Sequence, residues 1–400
     1  MDASQKSITY CIFTSETIPA FAGDGRSAML LARNLAHKGN KVFIFCLNPM
    51  GKLKKRENID GVFIVRIKYF YRSIINRLIF RFKLLTSLLL NADFNSVWII
   101  YGAMPGYKLI AVLAVLTRTK LVFRSTLWGF DDAQALFKFP SGLINRLIFP
   151  KLSGYYSLNS SFSLSWKQRF KNAKFFQSFQ GVSSDWFCYS ISREETRMLR
   201  KKLDISENSF IILVVGHLIK RKGFPEIFNW LARLEDDFVL LHLGSYEAPN
   251  WDIMFRHNNE MKKNKALAEE ILGSRIRFLG RQTDPKPYYR LAHVYLVASY
   301  AEGYPPNSVN EALASGLPIL TRQIPGVADV VADGINGLIF SNENEFIVKL
   351  TTLIHNRELL EELSRNAITF ARDNLRIEKV VNQFEEFIST EILNKIGKPV

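Results

Sequence analysis

The sequence predicts an α/β protein of two doubly wound domains, each a mostly parallel sheet with helices on both faces. Three observations carry this. The 400-residue chain exceeds the size at which a single hydrophobic core keeps growing. Apolar, β-branched and aromatic runs alternate along it with longer helical patterns, as strands buried on both faces require. The alternation restarts once, after a polar stretch over 190–208, with a fresh glycine turn behind the first strand of the second series.

In the first series the expected strands are 8–14, 41–47, 62–67, 97–101 and 120–124. The clearest helix follows Gly23-Asp24-Gly25-Arg26, with Ala28, Leu31, Ala32 and Leu35 at i, i+3, i+4 and i+7 and Gly39 as its stop. Strand, glycine turn, helix and strand make a βαβ unit. Gly23 and Gly25 either let backbone N–H groups approach a phosphate at that helix start or form a plain tight turn. The second series reads strand 210–215, helix 225–234, and strands 238–243, 277–279 and 294–298. The domains expected from this are 1–189 and 190–379, joined near 185–208, with a C-terminal helix at about 380–400 packing back on the first.

Composition narrows the function classes. At 48% hydrophobic and 22% charged residues the chain is a folded globular protein rather than a disordered tail. Cys11, Cys46 and Cys188 lack the spacing of a zinc site or a disulfide framework, and fit a reducing compartment. The apolar stretch 8–13 is too short for a secretory signal, and no apolar run approaches the roughly 20 residues of a membrane span. A cytoplasmic protein is expected. Its net charge of +16 points to an anionic partner, and the excess is concentrated. Between Gly61 and Phe130 the sole acidic residue is Asp93, against Arg66, Lys68, Arg72, Arg77, Arg81, Lys83, Lys108, Arg118, Lys120 and Arg124.

Two segments carry chemistry. Gly216, His217 and the cations Lys220, Arg221 and Lys222 follow a buried strand and precede Gly223 and a helix. They read either as a diphosphate cradle that needs no metal or as a solvated basic loop. Further on, a strand ends at Ala298 and runs through Glu302, Gly303, Tyr304, Pro305 and Pro306 into a helix that carries Glu311 and stops at Gly316-Leu317-Pro318. Carboxylates at the carboxyl ends of parallel strands suit the hydroxyls of a sugar or ribose.

The second segment resembles the donor-site signature of the retaining family 4 glycosyltransferases of GT-B fold, the glycosyl transferases group 1. In that signature a glutamate, a glycine-containing turn, a second glutamate and a small-residue helix ending Gly-x-Pro recur. Residues 276–280 resemble the preceding strand and glycine, and 325–338 the following loop and helix with its Asp-Gly-x-x-Gly turn. Residues 23–42 and 181–187 resemble the first loop and helix and the domain junction, while 66–175 match only in strand pattern. The resemblance implies two Rossmann-like domains facing a central cleft, closing on a nucleotide diphosphate sugar that is substrate rather than cofactor, with no metal. It places Lys222 on the phosphate-binding lysine, Glu311 on the ribose glutamate and Glu302 on the glutamate beside the transferred sugar. Gly23, Gly25, Gly216, His217, Arg221, Gly303 and Tyr304 fall on donor contacts.

Two departures stand out. His217 replaces the usual arginine, so a permanent bidentate cation gives way to a group mostly neutral at pH 7. Either Arg221 compensates or phosphate binding is weaker. Eight positions rather than seven separate Glu302 from Glu311, and Pro305-Pro306 are expected to absorb the extra residue in the turn.

The stretch 68–91 interleaves Tyr69, Phe70, Tyr71, Ile74, Ile75, Leu78, Ile79, Phe80 and Phe82 with arginines. It reads as a membrane-interface segment against anionic headgroups or as a buried helix edged by snorkelling arginines. At 124–132, Trp128 and Asp131 either contact the acceptor or form a capped turn with a packed tryptophan. The resulting expectation is a retaining transferase that moves a sugar to a hydroxyl of a glycan or lipid-linked glycan in cell-surface polysaccharide synthesis, of the lipopolysaccharide or exopolysaccharide kind. It would work peripherally at the inner membrane face, with no nucleic-acid partner. Two alternatives remain: a nucleotide-sugar epimerase of the same fold, and a basic membrane or nucleic-acid adaptor with a decayed site. The retained glutamates, lysine and glycine turns weigh against decay.

Overall fold

The computed structural model describes residues 7–19, 22–70, 73–138, 140, 142–250 and 252–394. Tyr71, Arg72 and the end of the expected C-terminal helix, 395–400, lie outside them. The described chain divides into two units, the first within 1–181, 250–253 and 377–400, the second within 182–249 and 254–376. The division falls at 181/182 rather than the expected 189/190. Val182 already pairs with Arg376, and its N–H donates to Leu375 O at 2.7 Å.

The first unit runs β1 (Thr9–Thr14), α1 (Gly23–His37), β2 (Lys41–Pro49), β3 (Arg56–Ile59), β4 (Val62–Tyr69), α2 (Ile74–Asn91), β5 (Val97–Tyr101) and α3 (Tyr107–Leu116). It continues with β6 (Lys120–Arg124), α4 (Ala133–Leu136), α5 (Leu143–Ile148), β7 (Gly154–Ser157), α6 (Ser160–Arg169) and β8 (Phe175–Gln177). The second unit holds α7 (Asp185–Cys188), α8 (Arg193–Lys202), β9 (Phe210–Val215), α9 (Phe224–Ala232), β10 (Phe238–Leu243), α10 (Asn258–Leu272) and β11 (Ile276–Gly280). After these come α11 (Lys286–Leu291), β12 (Val294–Val297), α12 (Asn307–Ala314), β13 (Ile319–Arg322), β14 (Gly337–Phe340), α13 (Glu343–His355) and α14 (Arg357–Asn374). The chain then forms α15 (Ile377–Phe387), which belongs to the first unit.

The first sheet has the order β3-β4-β2-β1-β5-β6-β7-β8 and is parallel except for the β3–β4 pair. Its strands alternate between two cores. Tyr10, Ile12, Val42, Ile44, Val97 and Ile99 meet α1 and α15 through Leu31, Leu35, Val381 and Phe384 on one face. Cys11, Phe13, Phe45, Trp98 and Ile100 meet α2, α3 and α6 through Phe80, Leu84, Ile110 and Trp166 on the other. Burial on both faces is why these strands read as continuous apolar runs. Gly25 lies where a Cβ would stand 1.7 Å from Glu16 O, so the first turn of α1 presses directly on the loop after β1.

The second sheet, β11-β10-β9-β12-β13-β14, is wholly parallel. Ile212, Val214, Leu240, Leu296 and Leu320 bury against Ile227, Phe228 and Leu231 of α9 and Phe346 and Leu350 of α13. Several expectations change. The polar stretch 190–208 contains the helix α8, started by a capping box between Ser192 and Glu195. The helix expected within 325–338 is a single 3-10 turn, Val327–Asp329, after which Gly337 opens β14. Strands β3, β7, β8, β13 and β14 are additions, each of only three or four residues, too short to show a period.

Two histidines, the buried His242 and the half-buried His293, are held neutral in the second unit. His293 stacks on Phe210 and its Nδ1 accepts the Ile211 N–H at 2.8 Å; burial, helped by Arg200, pushes its pKa down to about 4. His242 in β10 bonds Gly216 O through Nε2 at 2.9 Å, and burial pushes it down to about 4 as well. Both values lie below the unfolded value of about 6.5, so on acidification the unfolded chain takes protons first. Stability present above about pH 6.5 is therefore lost as the pH falls through 4, by up to about 3 kcal/mol per histidine. Urea midpoints measured across that window should decline, and the double variant His242→Gln, His293→Gln should flatten the slope. An unchanged slope contradicts the assignment.

Candidate functional site

The two chemical segments of the second unit interlock through backbone. Gly223 has φ +73°, and a Cβ there would stand 2.1 Å from Ala298 O, so the turn after β9 lies directly on the end of β12. Only glycine tolerates both demands. Tyr300 N–H donates to Arg221 O at 3.0 Å, and Arg221 Nη1 donates to Ala301 O at 2.6 Å. Residues 220–222 form one 3-10 turn, which sends Lys222 back across Gly216, where a Cβ would press on the lysine Cε at 3.3 Å.

This arrangement delivers two cations to one buried carboxylate. Lys222 Nζ lies 2.5 Å from Glu302 Oε1, Arg221 Nη1 lies 3.2 Å from Oε2, and Ser299 Oγ donates to Oε1 at 2.7 Å. Burial alone would raise the Glu302 carboxyl, but Lys222 and Arg221 outweigh it and hold it down at about 2. Burial pushes the Lys222 ammonium down, with Glu302 opposing. The carboxylate is therefore permanently ionised and a poor proton acceptor. The turn that carries it is braced from outside. Arg322 Nε donates to Ala298 O at 2.9 Å, its guanidinium pairs with Glu226 and lies 4.7 Å from the Tyr300 ring centroid, and Tyr300 OH bonds Glu226 at 2.9 Å.

Glu311 sits on α12, nine positions on. The Pro305-Pro306 pair lies before the helix, which begins at Asn307 with Pro306 as its N-cap residue. The extra residue is thus taken up in the turn. Small residues let α12 pack deeply; everything from Ser308 to Ala314 is buried, and Gly316 at φ +69° ends it. Glu311 is 5% exposed and accepts a 2.9 Å bond from Tyr289 OH on α11.

The remaining expected residues divide by environment. Gly216 and the half-buried His217 stand at the end of β9, with Gly216 at φ +143°. Gly303 is buried, and the wholly buried Tyr304 directs its hydroxyl towards Thr321 Oγ1 at 3.5 Å, so that ring packs inside rather than facing a ligand. Gly23 and Gly25 start α1 in the first unit. Gly25 is explained by its approach to Glu16, and Asp24 between them accepts bonds from Thr14 Oγ1 and from Ser15 N and Oγ. Asp131 is spent on its own loop, accepting from Thr126 N, Thr126 Oγ1 and Leu127 N at 2.6 to 2.9 Å. Burial raises it to about 6 against those bonds. Trp128 packs edge-on to Phe162 at 5.4 Å. The 124–132 segment is thus the capped turn with a packed tryptophan. Glu226, Arg322 and Tyr289 escaped sequence reasoning because no local spacing ties them to the glutamates, while Ser299, three positions before Glu302, lay within the segment but was given no role.

The chain is similar to proteins of known family and fold. Residues 195–370 match the model of the family described as glycosyl transferases group 1. Over 180 residues the chain is 29% identical to the alpha-monoglucosyldiacylglycerol synthase of Acholeplasma laidlawii, covering 44% of this chain and 43% of that protein. Over 187 residues it is 29% identical to the lipopolysaccharide core biosynthesis glycosyltransferase LpsE of Rhizobium meliloti, covering 43% and 51%. The chain therefore spans about half the length of these relatives. Among solved structures it resembles Anabaena Alr3699/HepE in complex with UDP and glucose, with a TM-score of 0.75 and 15% identity over 96% of this chain and 100% of that one. At that identity the likeness shows the fold alone, two Rossmann-like units of the GT-B class.

The buried triad is open to a stability test. Removing one partner of a buried ion pair costs about 3 to 5 kcal/mol. Lys222→Met should lower the urea-unfolding free energy by about 3 kcal/mol. Combined with Glu302→Gln in a double-mutant cycle it should show coupling of about 1 kcal/mol or more, whereas coupling near zero contradicts the pairing.

Proposed function

We propose that this protein, whose residues 195–370 match the model of the glycosyl transferases group 1 family, is a retaining glycosyltransferase using a nucleotide diphosphate sugar. The observation that carries the reading is the convergence of Lys222 and Arg221 on the turn that holds Glu302, at the carboxyl end of a parallel sheet where such folds bind ligands. In the reaction the bond from sugar C1 to the diphosphate oxygen breaks. A bond from C1 to the acceptor oxygen forms on the same face, and the acceptor proton passes to the departing diphosphate. Lys222 and Arg221 meet the charge that develops on that diphosphate, and the reading calls for no metal or cofactor. Glu302, held near 2, is suited to fixing those two cations and hydrogen-bonding the sugar rather than to removing a proton. Glu311 receives the ribose hydroxyls. The UDP and glucose in the Anabaena complex support a nucleotide-sugar donor, and nothing in the fold requires an epimerase.

The acceptor in this reading is a glycan or lipid-linked glycan at the inner membrane face, in cell-surface polysaccharide or glycolipid synthesis. The relatives named for a glucosyldiacylglycerol and for lipopolysaccharide core support it. So does α2. Phe80, Leu84 and Leu88 bury one face of this helix, while Ile74, Ile75, Leu78, Ile79, Phe82, Leu89 and Leu90 line the other and are exposed. Arg77, Arg81 and Lys83 are exposed beside them, and the helix has no acidic residue. Leu143, Ile144 and Leu147 of α5, which packs on the same sheet face, are exposed too. A helix apolar on two opposite faces with an unopposed positive edge matches an anionic bilayer surface. Among the described residues no helix is long and apolar enough to cross a membrane.

Two outcomes test the proposal. Glu311→Ala should lower donor affinity or turnover about 10- to 100-fold, the value of one or two hydrogen bonds to a charged group. Full activity in that variant, or a product of inverted anomeric configuration by NMR, sinks the assignment. The protein should also co-sediment with vesicles containing anionic lipid and not with neutral ones, and Ile79→Ser with Phe82→Ser should abolish this. Equal binding to both vesicle types contradicts the surface.

A further inference from the structure

Glu311 is buried on α12 and is bonded by a side chain from a different helix. Tyr289 on α11 is 1% exposed and its hydroxyl donates to Glu311 Oε2 at 2.9 Å. Its ring is fixed from both sides. Trp186 of α7 meets it edge-on at 5.0 Å and 80°, and Tyr295 of β12 stacks on it at 5.9 Å and 13°. Tyr295 in turn donates its own hydroxyl to Ser308 Oγ at 2.7 Å, one helical turn before Glu311. The next residue of α11, Arg290, donates to Ser315 O at 2.9 Å where α12 ends. Three side chains from α11 and β12 therefore grip α12 at its start, middle and end, and the middle grip is the one that lands on the carboxylate.

We propose that Tyr289 is a positioning residue for the recognition of the donor's ribose. The inference rests on the reading of Glu311 as the ribose-binding glutamate. A carboxylate on a long side chain rotates about its last bond, and its oxygens offer about four lone-pair sites. The Tyr289 hydroxyl occupies one site on Oε2 and so fixes the carboxylate plane. A carboxylate held in one plane presents its acceptor edge to a vicinal diol in a fixed direction. The bond also compensates a buried charge, so that the ribose meets a carboxylate already oriented and need not order it. Loss of the hydroxyl removes the restraint that Tyr289 places on Oε2, and that loss falls on ligands with ribose hydroxyls and not on ligands without them.

The experiment compares nucleoside diphosphates with and without those hydroxyls on the full chain. UDP, GDP and ADP are titrated by calorimetry, and the tightest is taken forward with its 2′,3′-dideoxy counterpart. Tyr289→Phe should weaken the ribonucleotide about tenfold, the value of one hydrogen bond to a charged group, and leave the dideoxy nucleotide unchanged. Tyr295→Phe, which removes the neighbouring hydroxyl from the same stack, should preserve the wild-type preference. Equal weakening of both nucleotides by Tyr289→Phe, full retention of the preference, or loss of folding in Tyr289→Phe alone overturns the proposal, since each makes Tyr289 structural. Glu311→Gln separates the two levels. If wild type and Glu311→Gln show the same ribose preference, the Glu311 reading itself fails. If Glu311→Gln loses the preference and Tyr289→Phe keeps it, only the role of Tyr289 fails.

Discussion

The second unit depends on one buried electrostatic contact, the Glu302 carboxylate shared between Lys222 and Arg221. Burying a charge without a partner is prohibitive, and holding a buried carboxylate between two partly exposed cations requires close geometry and satisfied hydrogen bonds. Ser299, Ala301 O and the Tyr300 to Arg221 backbone bond supply that satisfaction. The approach is possible only because Gly223 has no side chain to keep the β9 turn away from Ala298. Two cations and a glycine at 221–223 and a carboxylate at 302, 79 or more positions away in sequence, thus form one object. Its excess of one positive charge is what a departing diphosphate would meet.

The two glutamates are held by different physics, which gives them different chemistry. Glu302 is pinned by cations and kept far below the usual carboxylate range. Glu311 is held by a neutral hydroxyl on a small-residue helix that sinks between the sheet and its neighbours. A carboxylate saturated by ion pairs has little left for proton transfer, whereas a hydroxyl donor orients a carboxylate without adding a charge beside it. The one-residue lengthening between them falls in the proline turn before Asn307, so it alters neither environment.

The first unit shows the opposite balance. Its glycine turn and its Trp128–Asp131 turn, both candidates for ligand contact, are spent on internal packing: Gly25 on Glu16 O, Asp131 on the backbone and hydroxyl of its own loop. The apolar row of α2 faces outward, while the opposite face of the helix already fills the core. A sequence of apolar residues at 74–90 cannot by itself say which of two stripes is buried. Contact with the sheet chose Phe80, Leu84 and Leu88, and by exclusion left the other stripe to solvent.

The sequence by itself determined the α/β class, the two-unit repeat and the longer strands, because strands buried on both faces must be apolar throughout and glycine must mark each tight βα turn. It also singled out Lys222, Glu302 and Glu311 as candidates, since their segments are local and resemble a known signature with one residue added between the glutamates. The short strands β3, β7, β8, β13 and β14 were illegible, because three or four residues show no period and pair only when a neighbouring edge is offered. So was the helix α8, whose polar surface buries nothing and looks like linker. Only the tertiary structure decided which carboxylate faces cations and which faces a tyrosine. Side chains such as Tyr289, Arg322 and Glu226 reach the site from elements with no sequence proximity to it, through contacts that exist only once the sheet has closed.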